Sequence, residues 1–82
     1  MKKIIFLLLI IANNALADCF NISDTDEMYY CLAVSEHDSN RCYGINDNDM
    51  RNFCLAKTKR ESNYCWNINS NGLKETCLAR FR

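Results

Sequence analysis

The sequence predicts a small, disulfide-rich, all-α protein built from three tandem helical repeats of 23 residues. Two observations predict it. Six cysteines stand in a chain of 82 residues, and their separations alternate between 12 and 11 residues. A fixed period of this length, with two cysteines in each unit, is typical of a repeat array. The units occupy residues 18–41, 42–64 and 65–82, and the cysteines are Cys19, Cys31, Cys42, Cys54, Cys65 and Cys77.

The first 17 residues have the pattern of a secretory signal peptide. Lys2 and Lys3 precede the apolar run 4–12, and the segment ends in an Ala-x-Ala site, so we expect cleavage between Ala17 and Asp18. The apolar run has nine residues, whereas a bilayer span needs about 20. We therefore expect a mature chain of residues 18–82 that does not span a membrane. Its predicted location is the bacterial periplasm, or outside the cell, where disulfides persist.

Within each unit the main element is predicted to be an α-helix. In the second unit, Asp47 is expected to cap the helix, and Asp49 lies in the first turn, where the helix dipole favours an acid. Met50, Phe53 and Cys54 then follow at helical spacing. The Ser-Asn pairs before the next cysteine predict a second, shorter helical turn. The positions equivalent to Asp47 and Asp49 are Asp24 and Asp26 in the first unit and Ser70 and Gly72 in the third. Ser62-Asn63 is one of the Ser-Asn pairs that predict a short turn.

The disulfide pairing has two interpretations that respect the repeat. Pairing within each unit leaves no cysteine over and lets each unit carry its own bridge, so we favour it. Each bridge then closes a loop of about a dozen residues, which contributes roughly 3 kcal/mol. The favoured pairs are Cys19–Cys31, Cys42–Cys54 and Cys65–Cys77, and the alternative pairs are Cys31–Cys42, Cys54–Cys65 and Cys19–Cys77.

No catalytic residue, cofactor or metal site is predicted. The gaps between cysteines do not match zinc motifs, and His37 is the only histidine that could serve a thiol as a base. The Asp-x-Asp pairs lack the Gly and Glu of a calcium loop. Helix capping explains them better, because Ser70 replaces the first Asp in the third unit. We therefore expect a protein that is not an enzyme.

Charge is distributed unevenly along the mature chain. The units carry −5, +1 and +2 in order, which gives −2 in total. This balance argues against nucleic-acid binding, which needs clustered positive charge. An acidic first unit and a basic last unit would steer a charged partner, although simple drift between repeats explains the same distribution.

The aromatic residues form two groups. Phe20, Tyr43 and Trp66 share one repeat position, and we expect them to pack in the core against the disulfides. A second group breaks the repeat and supplies the predicted partner contacts, because aromatic residues are enriched at binding hot spots. These contacts are Tyr29, Tyr30, Tyr64 and Phe81. The shortened third unit is expected to cap the array and keep the protein a monomer.

The C-aromatic-x-I-x-D-x-D and C-L-A segments resemble small periplasmic cysteine-repeat proteins of bacteria and prophages. The layout is also similar to Cor-like superinfection-exclusion proteins, in size, signal peptide and mature region. That resemblance implies a periplasmic protein that blocks an outer-membrane receptor, and it carries over no site residue. Our leading hypothesis is a binding protein that blocks or modulates an envelope protein. The alternatives are an inhibitor of a cell-wall hydrolase such as lysozyme, and a secreted toxin-like peptide.

Overall fold

A computed structural model describes residues 18–82, and the predicted signal peptide and its cleavage site lie outside or at the edge of this range. Three α-helices alternate with two 3₁₀ helices. They are α1 (Thr25–Glu36), the first 3₁₀ helix (Ser39–Gly44), α2 (Asn48–Lys59), the second 3₁₀ helix (Ser62–Asn67) and α3 (Asn71–Ala79). Residues 18–20 are also helical, and residues 18–82 contain no strand. The predicted all-α, disulfide-rich repeat fold is confirmed.

Each unit is a short helical turn joined to an α-helix by one disulfide. The bridges link Cys19 to Cys31, Cys42 to Cys54 and Cys65 to Cys77, with Cα–Cα distances of 5.4, 5.7 and 5.6 Å. This is the pairing within each unit that the sequence favours. All six cysteines are therefore paired, and each bridge holds a helical turn against the α-helix that follows it.

The α-helices begin where the sequence predicts, although their caps differ. The N–H of Met50 donates to the carboxylate of Asp47 at 2.8 Å, and the N–H of Leu73 donates to the hydroxyl of Ser70 at 3.4 Å. Both bonds satisfy a backbone donor that has no partner inside the helix. Asp24 occupies the same position before α1, but its side chain forms no cap bond. Its predicted role as a side-chain cap is therefore wrong.

Two clusters of buried side chains lie where successive units meet. The first combines Ala33 of the first unit with residues of the second, and the second combines Ala56 with residues of the third. Tyr64 packs against both clusters and so joins them. The buried members are Ala33, Cys42, Ile45, Cys54 and Leu55 in the first cluster, and Ala56, Cys65, Ile68 and Cys77 in the second.

A carboxylate ties each unit to the next. Asp26 accepts from the backbone N–H groups of Asn46 and Asp47 at 2.9 and 3.1 Å. Twenty-three residues on, Asp49 accepts from the N–H groups of Asn69 and Ser70 at 2.8 and 3.1 Å. The second acid of each Asp-x-Asp pair therefore holds the loop that precedes the next α-helix. These matching distances indicate that the two junctions are built in the same way.

The two junctions differ in one close contact. The ring of Tyr29 lies over Gly44, so closely that a Cβ atom at Gly44 would stand 3.0 Å from three ring atoms. In the second junction the equivalent positions are Asn52 and Asn67. A large residue thus faces glycine in one junction, and two residues of middle size take these positions in the other.

Candidate partner-binding surface

The aromatic residue that follows the first cysteine of each unit lies on the surface. Phe20, Tyr43 and Trp66 are 64, 58 and 63% exposed. The prediction that they pack in the core is therefore wrong. In a 3₁₀ turn, residues three apart share a face. The N–H of Ile45, just past the helix, donates to the carbonyl of Cys42 at 3.1 Å, so these two residues turn inward and Tyr43 and Gly44 between them are exposed. The inward Cys-x-x-Ile spacing is the sequence signal that identifies this arrangement.

These three side chains define what we call the aromatic row. Each occupies the same position in a unit, and the Asp26 and Asp49 junctions relate successive units in the same way. Successive units therefore place this residue in the same local setting. The disulfide beside each aromatic residue holds its helical turn in place. The aromatic row thus consists of three exposed rings, each attached to a rigid support.

A cation accompanies the middle of the aromatic row. The ammonium of Lys59 lies 6.0 Å from the ring centre of Tyr43 and 5.7 Å from that of Tyr64. Hydrogen bonding with the Tyr64 hydroxyl, with Tyr43 adding to it, raises the pKa of Lys59. Lys59 therefore remains charged near neutral pH and gives the row a positively charged edge.

The four residues predicted as partner contacts have unequal positions. Tyr29, Tyr30 and Tyr64 are half-buried and pack against the core clusters. The ring of Tyr30 also lies 6.1 Å from that of Phe53. Phe81 is 40% exposed near the end of the chain. The structure gives the three tyrosines a role in packing the repeats, and a partner contact by any of the four stays a prediction.

The acidic first unit presents fewer free carboxylates than its charge suggests. Asp26 is engaged by the next unit, whereas Asp24 and Glu27 are exposed. In the second unit, the N–H of Asn69, assisted by that of Ser70, holds the pKa of Asp49 below its ordinary value of 3.8. The inner acids therefore serve the fold, and the outer acids are available to a partner.

Neither a metal cluster nor a membrane span is found in the described part of the chain. No group of three or more His, Cys, Asp or Glu side chains in residues 18–82 is arranged to hold a metal ion. Within the same range, no helix has the length and apolar character needed to cross a bilayer. Three disulfides in this range are compatible with a periplasmic or extracellular location.

Comparison with protein-family models, curated proteins and solved structures finds no match to the chain. The resemblance to superinfection-exclusion proteins thus stays an interpretation of the sequence, and the surface has to be interpreted from its own chemistry.

Proposed function

We propose that the mature protein is a periplasmic binding protein, without enzymatic activity, that blocks or modulates a protein of the bacterial envelope. The observation that carries the proposal is the aromatic row, which exposes one large ring from each of three units. Trp and Tyr are the residues most often found at the energetic centre of protein interfaces. Large aromatic side chains are usually buried at least in part, so an exposed ring at the same position of all three units is a feature that partner binding would explain.

The rigidity of the scaffold supports the same function. Each ring is attached beside a disulfide, so the backbone that carries the row loses little conformational freedom on binding. Binding surfaces that are ordered in advance avoid part of the entropic cost of association. A small protein can then occupy a site on a larger one. The sharpest form of the proposal is that it occludes an outer-membrane receptor used by incoming phages.

The experiment is a pull-down from bacterial envelope extract with the oxidised chain 18–82 as bait. A triple variant, Phe20→Ala with Tyr43→Ala and Trp66→Ala, removes the aromatic row. Asn63→Ala is the control, because Asn63 is an exposed residue of the same 3₁₀ helix as Trp66. Circular dichroism of each variant checks that the helices are retained.

We expect an outer-membrane receptor to bind the wild-type chain and the control but not the triple variant. Expression of the wild-type chain should then protect bacteria from a phage that uses that receptor, and the triple variant should not protect them. The proposal fails if nothing binds above a reduced, unfolded control. Equal binding by the triple variant would show that the aromatic row is not the contact.

A second candidate function rests on the free carboxylates of the first unit. Asp24 and Glu27 are exposed, and they could enter the positively charged active site of a cell-wall hydrolase such as lysozyme. Asp24→Asn with Glu27→Gln tests this without disturbing the Asp26 junction. Capture of a hydrolase that depends on these two acids, and not on the aromatic row, would favour the inhibitor over the receptor-blocking protein.

A further inference from the structure

The C-terminal ends of the α-helices meet in a basic cleft. Two cavities of about 320 and 220 Å³ share Lys57, Arg60 and Arg80 as lining residues. His37 lines the smaller cavity and Phe81 lines the larger one. One lysine, two arginines and one histidine therefore line two adjoining cavities, which we call together the basic cleft.

These cations are not neutralised by acids of the described chain. Neither cavity is lined by an acidic side chain from residues 18–82. The ion pairs in this range join Arg41 to Glu36 and Arg82 to Glu75, at 3.5 and 3.4 Å. The carbonyl end of a helix carries about half a negative charge. Three such ends offset only part of three full positive charges, so the basic cleft stays positive.

Two of the cleft residues adopt a backbone conformation that normally favours glycine. His37 and Arg60 end α1 and α2 with φ angles of 54° and 57°, in the left-handed region. Glycine is the usual residue there because a Cβ atom is disfavoured. A nearby helix end accounts for a cation in its last turn, but not for a histidine or an arginine in place of glycine. Both side chains line the smaller cavity, so each brings a nitrogen-bearing group to the basic cleft.

We propose that the basic cleft binds a phosphate monoester. Such a group carries nearly two negative charges at neutral pH and three strong acceptor oxygens. It therefore matches a cleft lined by one lysine and two arginines better than a single carboxylate does. The planar guanidinium groups of Arg60 and Arg80 donate pairs of hydrogen bonds to phosphate oxygens. The ring of Phe81, 40% exposed, offers an apolar wall to the organic part of the ester.

The first test is a ¹H–¹⁵N NMR titration of oxidised chain 18–82 with inorganic phosphate, against sodium chloride of equal ionic strength. We expect saturable shifts of the amides at residues 57–60 and 80–81. Arg60→Gly should weaken binding about tenfold, the usual size for loss of a charged hydrogen bond. It should also leave the melting temperature unchanged or raise it, because glycine suits the left-handed backbone. If Arg60→Gly binds phosphate more weakly but melts no lower than the wild type, then Arg60 contacts the ligand and does not merely support the fold.

The control is Lys74→Gln, which removes a positive charge near the opposite end of α3 and should bind phosphate as the wild type does. Shifts that chloride reproduces, or wild-type affinity in both Arg60→Gly and Arg80→Gln, would overturn the proposal.

A second arm identifies the source of the phosphate. It uses co-sedimentation with vesicles of phosphatidic acid and phosphatidylcholine, against vesicles of phosphatidylcholine alone. Selective sedimentation with phosphatidic acid assigns the basic cleft to a lipid headgroup. Phosphate binding without sedimentation assigns it to a soluble ester. Phosphate binding at the basic cleft does not depend on the aromatic row. Arg60→Gly should therefore leave the capture of an envelope protein unchanged.

Discussion

The contact between Tyr29 and Gly44 makes a quantitative prediction for Gly44→Ala. The new methyl group would stand 3.0 Å from three atoms of the Tyr29 ring, well inside the usual carbon–carbon contact distance of about 3.5–4.0 Å. Gly44 has no positive φ angle, so the variant suffers from the clash and not from backbone strain. Overpacking of this kind costs about 1–3 kcal/mol. For a domain of this size, about 2 kcal/mol lowers the melting temperature by roughly 8–16 °C.

The assay is thermal unfolding of the oxidised chain 18–82 by circular dichroism. The other glycine of the chain supplies a matched control, because a Cβ atom at Gly72 would meet nothing within 4 Å. Gly72 lies within α3, where alanine is favoured over glycine by about 0.5–1 kcal/mol. Gly72→Ala should therefore raise the melting temperature by a few degrees while Gly44→Ala lowers it.

A double variant attributes the effect to one ring. Tyr29→Ala removes the atoms that the new methyl group would meet, so in that background Gly44→Ala should cost far less than it does alone. The reasoning is refuted if Gly44→Ala melts at or above the wild-type temperature. It is also refuted if the two substitutions simply add, since residues in contact should show a coupling energy.

Three further predictions concern the junctions, the bridges and the clusters. Folding lowers the pKa of Asp49 below 3.8, so its stabilisation is present above that value and is lost as the pH falls through the lower pKa of the folded state. The melting temperature of Asp49→Asn should therefore lie below that of the wild type at pH 6, and the difference should shrink in acid. Asp24→Asn should show no such pH-dependent difference. A difference for Asp49→Asn that is independent of pH would contradict this. Reducing the three disulfides should abolish the helical circular dichroism signal at 222 nm at 25 °C. Each bridge contributes about 3 kcal/mol to the free energy of unfolding, and so short a chain buries little surface. A reduced chain that stays helical would contradict this prediction. Tyr64→Ala should lower the free energy of unfolding by about 2–4 kcal/mol because Tyr64 packs against both clusters. Trp66→Ala should change it by less than about 0.5 kcal/mol. Equal losses of both variants in urea unfolding would contradict this difference.

Local chemistry explains why much of the fold could be predicted from the sequence. A fixed period in the cysteines restricts the pairing, and the bridges Cys19–Cys31, Cys42–Cys54 and Cys65–Cys77 follow it. Capping needs only a short polar side chain before a helical segment, so Asp47 and Ser70 could be assigned by spacing alone. The Ser-Asn pair also predicts the short turn at Ser62–Asn67, but not as its cap, because Ser62 lies inside this 3₁₀ helix and Glu61 precedes it without a side-chain cap bond.

The rest depends on contacts between distant residues. The sequence places Asp49 in a first turn, where the helix dipole alone favours an acid. Its actual partners are two N–H groups 20 and 21 residues away, which local spacing does not indicate. The exposure of Trp66 is hard to predict for another reason. Large aromatic residues are usually buried, and only the three-residue turn that brings Cys65 and Ile68 together indicates the outward position.

The basic cleft shows a similar limit. The sequence indicates that Lys57 and Arg60 lie at the end of a helix, where cations are favoured. It does not indicate that Arg80, from the next unit, shares the same cavity. Nor does it show that Arg60 has a left-handed backbone. Both facts follow from the way in which successive units stack.

The junction carboxylates make the length of this protein adjustable. A duplicate of residues 42–64, inserted after residue 64, would bring an Asp for the unit that follows it and a pair of backbone N–H groups for the unit before it. Its cysteines would pair with each other inside the insert. The chain could thus be extended in steps of 23 residues, each adding one exposed ring. A set of such extended chains would serve as a molecular ruler for the partner, because affinity should stop rising once the added rings reach beyond its surface.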